Sequence, residues 1–259
     1  MNAPNPPFRS AAQAPPIDVR AVLFDLDETL IAQRKSFEDI GAEAFAAFEE
    51  QLAPVTRQQF WQAFWPRAVD MWHLMIEGVV SGAEARYHTM RNALRALEAD
   101  LDLAGPLHAQ ADQALLEAGT LYADALATLR ALRAAGYTIG VVTNGYSDMQ
   151  RRKIARHELG PAVDFIVVSE EARAHKPDPR IFEQALVLAA VAPDEAVYVG
   201  DLLHNDVGGA MRAGMHALLH DPRGLRMAQR AAHPDAPAPH AVLDRLGEVL
   251  PIVGLPPLG

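Results

Sequence analysis

The feature that most limits the folding options is a short uninterrupted apolar run, Ala21-Val22-Leu23-Phe24, flanked by polar residues. Runs of this kind belong to strands buried on both faces, as in a parallel sheet covered by helices. Similar runs recur at Thr138 to Val142, Asp164 to Val168, Ala196 to Val199 and His216 to Leu219, with a sixth at Ala241 to Leu243. Helical patterns lie between them; Ala125 to Ala135, closed by Gly136, is one. Alternating strands and helices predict an α/β fold, a doubly wound Rossmann-like parallel sheet with right-handed crossovers.

The stretch from Ser36 to Gly119 breaks this rhythm. It shows no convincing strand and reads as amphipathic helices, including Phe37 to Gln51 and Gln58 to Glu77. An all-helical insert after the first strand sits above the sheet's C-terminal edge, where open α/β folds bind ligands, and so can act as a lid. The expected layout is an α/β core from 20–35 and 120–251, a helical cap from 36–119, and tails at 1–19 and 252–259. Pro234 to Pro239 reads as a surface loop.

Composition narrows the chemistry. The 259 residues are half hydrophobic and carry a formal net charge of −10. A nucleic acid backbone would be repelled, whereas a small phosphorylated metabolite can still meet a local cationic pocket. With no cysteine, thiolate metal sites, disulfides and cysteine nucleophiles are excluded, and a metal must take oxygen or imidazole ligands. No apolar run is long enough to span a bilayer and the N-terminus lacks the pattern of a signal peptide, so a cytoplasmic location is expected. Oligomeric state leaves no mark in the sequence.

Four segments place polar residues directly at strand ends: Asp25-Leu26-Asp27-Glu28-Thr29-Leu30, Thr143-Asn144-Gly145, His175-Lys176-Pro177-Asp178-Pro179, and Gly200-Asp201 through Asn205-Asp206. Side chains alternate along an extended chain, which projects Asp25 and Asp27 to one side. A carboxylate attacking a phosphate dianion is repelled by it; unit charges ~4 Å apart interact by roughly 4 kcal/mol at an effective dielectric of 20. Gathering more carboxylates worsens this unless a cation sits among them. Mg²⁺ prefers oxygen ligands, so Asp25, Asp201 and a backbone carbonyl form a natural partial shell. Lys176 adds positive charge, and Thr143, Asn144 and nearby N–H groups can hold phosphoryl oxygens.

Taken in order, these segments resemble the haloacid dehalogenase-like hydrolase superfamily, whose D-x-D-x-T-L, strand-end Thr, K-P-D-P-x-I-F and G-D-x-x-x-N-D patterns stand at Asp25, Thr143, Lys176 and Gly200 onward. The resemblance implies that Asp25 is a nucleophile forming an aspartyl-phosphate and that Asp27 is the general acid and then base. It implies that Asp25, the Asp27 carbonyl and Asp201 hold Mg²⁺, and that Thr143, Asn144 and Lys176 bind the phosphoryl group. Thr29, Gly145 and Asp206 support them, with Asp206 orienting Lys176 or a metal-bound water. Thr143-Asn144-Gly145-Tyr146, Ser169-Glu170-Glu171 and Gly208-Gly209 further resemble a subgroup holding pyrimidine 5′-nucleotidases and N-acylneuraminate-9-phosphatases. Two positions depart from the pattern: Leu202 replaces a small hydroxyl residue and Ala123 a proline.

Several residues take plainer readings. His175 and His204 are structural or rim residues. Phe60, Trp61, Phe64, Trp65 and Trp72, at helical spacing, read as packing of the cap core, with one or two substrate-facing rings stacking on a base as the alternative. Arg86 reads as an exposed cap arginine, with contact to a substrate anion as the alternative. Among rival functions, a 2-haloacid dehalogenase shares the nucleophile but has no need of a second carboxylate such as Asp27. A phosphomutase would have to keep water from the aspartyl-phosphate. A non-catalytic scaffold has no use for such clustered charge.

Overall fold

A computed structural model describes residues 9–232 and 236–258. Its strands are β1 (Ala21–Phe24), β2 (Ile31–Gln33), β3 (Gly119–Leu121), β4 (Thr138–Thr143), β5 (Phe165–Val168), β6 (Ala196–Gly200), β7 (His216–His220) and β8 (Ala241–Leu243). Six form one sheet in the order β5-β4-β1-β6-β7-β8, and every pairing in it is parallel. All six runs expected from the sequence are present. The double burial is also as expected: Val22 and Phe24 join one apolar cluster, Ala21 and Leu23 the cluster on the opposite face. β1 lies between β4 and β6, so the strand order switches direction beside it. This is the crevice where open α/β sheets bind ligands.

The cap comprises α1 (Phe37–Ala46), α2 (Glu49–Leu52), α3 (Arg57–Ile76), α4 (Gly82–Ala96) and α5 (Ala104–Ala118). Capping boxes start three of them: Ser36 with Asp39, Thr56 with Gln59, and Ser81 with Glu84. The helix expected over Phe37 to Gln51 is broken at Ala47 and Phe48 into α1 and α2. Core helices are α6 (Ala125–Ala134), α7 (Ser147–Arg156), α8 (Ser169–Ala172), α9 (Pro179–Ala189), α10 (Gly208–Arg212), α11 (Leu225–Ala232) and α12 (Val249–Ile252).

The short strands β2 and β3, which sequence reasoning missed, pair antiparallel where the chain leaves and re-enters the core. Three residues each are too few for a periodic signal.

The expected tails need correction. Ala11, Ile17 and Val19 are buried, and backbone bonds tie Val242 to Arg9 and Ile17 to Ile252. At the other end Ile252 and Val253 are buried, and Leu258 packs over Gly247. Isolated apolar residues in proline-rich segments carry no periodicity, so only the surface they cover gives them away. Residues 1–8 and 259 lie outside the described residues, as does Pro234. The remainder of that proline-rich loop is not wholly superficial, since Pro239 is buried and the Pro237 carbonyl accepts from Arg230.

Candidate active site

Chain direction brings the polar residues together. In a parallel sheet every C-terminal strand end opens on the same edge, so Asp25 after β1, Thr143 ending β4 and Asp201 after β6 become neighbours. Asp25 anchors its backbone there by donating to Val199 across the sheet at 2.9 Å.

At the centre is Lys176, only 3% exposed. Its ammonium donates to Asp25 Oδ1 at 2.6 Å, to Asp206 Oδ1 at 2.7 Å and to the Tyr198 hydroxyl at 2.9 Å. Tyr198 in turn donates to the Val142 carbonyl. Burial alone would depress the lysine, but Asp206 and Asp25 outweigh it and hold its pKa above the ordinary value. Asp25 moves the other way from a normal carboxylate. Burial, only partly countered by Lys176 and reinforced by Asp206 and Asp201, raises its pKa well above the usual range.

Asp25, Asp201 and Asp206 each offer a carboxylate oxygen within 4.8 Å of the others. All three are buried. The cluster is short of positive charge, because three carboxylates share one buried ammonium. Arg226 from α11 supplies some relief by donating to Asp201 Oδ2 at 2.8 Å from the rim. Even so, burial and the nearby Asp206 push Asp201 up to about 6. Hard oxygen donors with an unmet positive charge fit a divalent cation such as Mg²⁺.

The structure differs from the sequence reading in how it uses several residues. Asp206, expected to orient Lys176 or a metal-bound water, accepts from the Lys176 ammonium at 2.7 Å. It also stands among the grouped carboxylates, and its Oδ2 accepts the Leu202 N–H at 2.8 Å. Gly200 leaves room for this arrangement, since an added Cβ would lie 2.4 Å from Asp206. Asp27 does not share Lys176 with Asp25. Lys153 from α7 holds both its oxygens, at 2.8 and 2.9 Å, and Gln150 donates to it at 2.9 Å. Lys153 and Gln150 went unnoticed in the sequence; their only signal was i, i+3 spacing on the helix after Gly145.

The Asn144 side chain does not face a phosphate as the resemblance implied. Its amide is committed to the backbone of Lys176, accepting from the N–H at 2.8 Å and donating to the carbonyl at 3.0 Å. A side chain that can both donate and accept clamps a peptide in this way. Asn144 therefore positions Lys176. The Thr143 hydroxyl is buried and accepts from Gln150 at 2.7 Å. A Cβ on Gly145 would meet Gln150 at 2.7 Å, and its N–H donates to Ser169. Thr29 is buried, and its hydroxyl lacks a partner among the described residues. His204 is exposed, as read.

Arg86 is corrected outright. Its side chain is 11% exposed, bonded to Asp148 at 2.9 Å and ion-paired with Asp112 at 3.2 Å. It is a bridge between cap and core, hidden from the sequence because its partners lie 26 and 62 positions away. A second bridge is Glu170, whose carboxylate accepts from Gly82 at the start of α4 and from Ser147 at the start of α7. One anion thereby serves two helix N-termini.

Residues 19–214 match the model of the haloacid dehalogenase-like hydrolase family. The chain belongs to that family. Among curated relatives, a phosphoserine phosphatase of Thermus thermophilus is 33% identical, over 84% of this chain and 94% of its own length. A ribulose-1,5-bisphosphate 5-phosphatase of Halopiger xanaduensis is 30% identical over 90% and 98%, and an (S)-2-haloacid dehalogenase of a Pseudomonas species 30% over 77% and 83%. Among solved structures, a 2-haloacid dehalogenase from Pseudomonas syringae aligns at TM-score 0.70 and 26% identity over 91% of this chain and 98% of that one. Among the described residues no helix is long and apolar enough to cross a membrane.

Proposed function

We propose that this family member is a Mg²⁺-dependent phosphohydrolase acting on a small phosphate monoester through an aspartyl-phosphate on Asp25. The observation that carries this reading is the convergence of Asp25, Asp201 and Asp206 around one buried lysine, with a second carboxylate, Asp27, held separately by Lys153 and Gln150. Asp25, Asp201, Asp206 and the Asp27 carbonyl are the groups to hold the cation, which when bound offsets the charge of the phosphate and of the carboxylates facing it.

The chain's own residues then divide the work. An oxygen of Asp25 attacks phosphorus as the bond to the alcohol oxygen breaks, and Asp27 gives that oxygen its proton. Asp27 next takes a proton from water, which attacks phosphorus, frees inorganic phosphate and restores Asp25. Lys176, fixed by Asn144, Asp206 and Tyr198, keeps a positive charge beside the reacting group throughout.

Nucleoside 5′-monophosphates lead the substrates, on the motif resemblance. Sugar phosphates are the second reading, supported by relatives named as glyceraldehyde 3-phosphate and ribulose-1,5-bisphosphate phosphatases. Phosphate release from both classes, with and without Mg²⁺, tests the assignment. Metal-dependent turnover that Asp25→Asn reduces by about three orders of magnitude or more is expected for a lost nucleophile. Metal-independent release of chloride from chloroacetate, without phosphate release, would establish the dehalogenase instead.

A further inference from the structure

The aromatic residues read from the sequence as cap core do not all pack it. Phe60 does, 1% exposed against Phe45. Phe64 stacks on Phe60 at 6.0 Å and packs against the same cluster, and these two rings share with Trp65 and Trp72 the wall of a cavity of about 420 Å³ bounded by α1, α3, α4 and α5. Packed interiors leave few voids larger than one water, whereas ligand pockets begin near ~300 Å³. The mouth carries apolar surface that water does not favour, with Phe37 60% and Trp65 44% exposed.

The opposite end faces the core. Tyr146, directly after Gly145, lines the cavity, meets Trp72 edge-on at 5.3 Å and lies beneath Arg86 at 4.7 Å. Its carbonyl accepts from the backbone N–H of Gln150, whose side chain touches Asp27 and Thr143. The wall at Tyr146 therefore lies one helical turn from Gln150, whose amide holds the group assigned to protonate the leaving alcohol. Arg86, the cation on this wall, is already held by Asp112 and Asp148. Arg152 also pairs with Asp112, so both arginines at this end are already engaged and neither is left over for a second phosphate or a carboxylate.

We propose that this cavity receives the alcohol half of the substrate and that this half carries an uncharged planar ring. Flat π faces stack on, or meet edge-on, the tryptophan and tyrosine walls, and an uncharged ring has no solvation shell to surrender. The inference rests on the phosphomonoester reading for its link to catalysis, but the cavity can be tested without turnover. A ring of this kind comes from a nucleobase or from an alcohol bearing the ring directly.

All three tryptophans of the chain lie on α3, with Trp65 and Trp72 lining the cavity and Trp61 stacked on Trp65 at 5.3 Å, so tryptophan emission reports on this helix. The full chain should change its tryptophan emission saturably on titration with benzyl alcohol. In the same preparation with Mg²⁺, benzyl phosphate or thymidine 5′-monophosphate should exceed glycerol phosphate and O-phosphoserine in kcat/KM by about tenfold or more, the scale on which apolar pockets discriminate. The better of the two esters tells a directly attached ring from a base. Ala44→Leu and Ala111→Leu, which fill the cavity from two sides, should each erase the preference mainly through KM, and weaken the fluorescence response. Emission unchanged by benzyl alcohol, or four esters used alike, overturns the assignment. A saturable response without any phosphate release leaves the cavity assignment standing and removes the phosphatase reading.

Discussion

At the scale of single residues, Lys176 matters because it is the one buried cation among three buried acids. Lys176→Met would leave Asp25 and Asp206 without their shared cation. Breaking a buried pair in this way costs about 3–5 kcal/mol, lessened where a stranded carboxylate can take up a proton. Urea unfolding of the metal-free protein should show that loss, and turnover should fall below detection; a variant as stable and active as the parent would contradict the network. Asp201 sets a pH dependence. Its native pKa of about 6 lies above the unfolded value of about 3.9, because burial and then Asp206 disfavour its charge. The native state thus binds that proton more tightly, so Asp201 favours the metal-free fold as pH falls from about 6 toward 4. Metal binding runs the other way, since the cation needs the carboxylate. Calorimetry should find Mg²⁺ affinity level above about pH 7 and falling toward tenfold per unit below about 6. An affinity constant from pH 7.5 down to 5 would refute it.

At the scale of elements, the cap is joined to the core through helix ends. Gly82 begins α4 within reach of both Glu170 and Tyr146: a Cβ there would lie 2.6 Å from the Glu170 carboxylate and 2.7 Å from the Tyr146 ring. Gly82→Ala should push the cap off this seat. The expected result is a kcat/KM lowered by about tenfold, as misplacements near 1 Å can do, with the unfolding midpoint of the core little changed. Unaltered kinetics would show that the contact does not position the cap. Glu170 and Glu171 entered the sequence reading only as marks of a subgroup. The structure gives them mechanical work: Glu170 joins two helix starts, and Glu171 pairs with Arg151 at 2.7 Å. No local pattern distinguishes such a carboxylate from a solvated one, because its partners come from elements 23 and 88 positions away.

At the scale of the whole molecule, residues 9–20 before β1 belong to the folded body. Ala11, Ile17 and Val19 are each at most 9% exposed. Burying a Val or Ile side chain contributes about 1.5–3 kcal/mol, less whatever the unfolded chain already hides. Removing residues 1–19 should therefore lower stability by several kcal/mol in denaturant titration, while the active-site geometry remains. An unshifted midpoint would mean the segment is dispensable.

The sequence by itself determined the six strands of the parallel sheet, the cap insertion and the placing of Asp25, Thr143, Lys176 and Asp201 at one sheet edge. Periodicity and strand direction are local properties, and a parallel sheet converts them into convergence without further information. Tertiary structure alone decided which cation serves which acid: Lys153 for Asp27, Arg226 for Asp201, and Asn144 turned to the backbone of Lys176. It also opened a cavity beside aromatic residues whose spacing left packing and substrate contact undivided. Side-chain pairing depends on distances between residues far apart in the chain, and helix periodicity says which face an aromatic ring occupies, not whether the opposite helix fills the space before it.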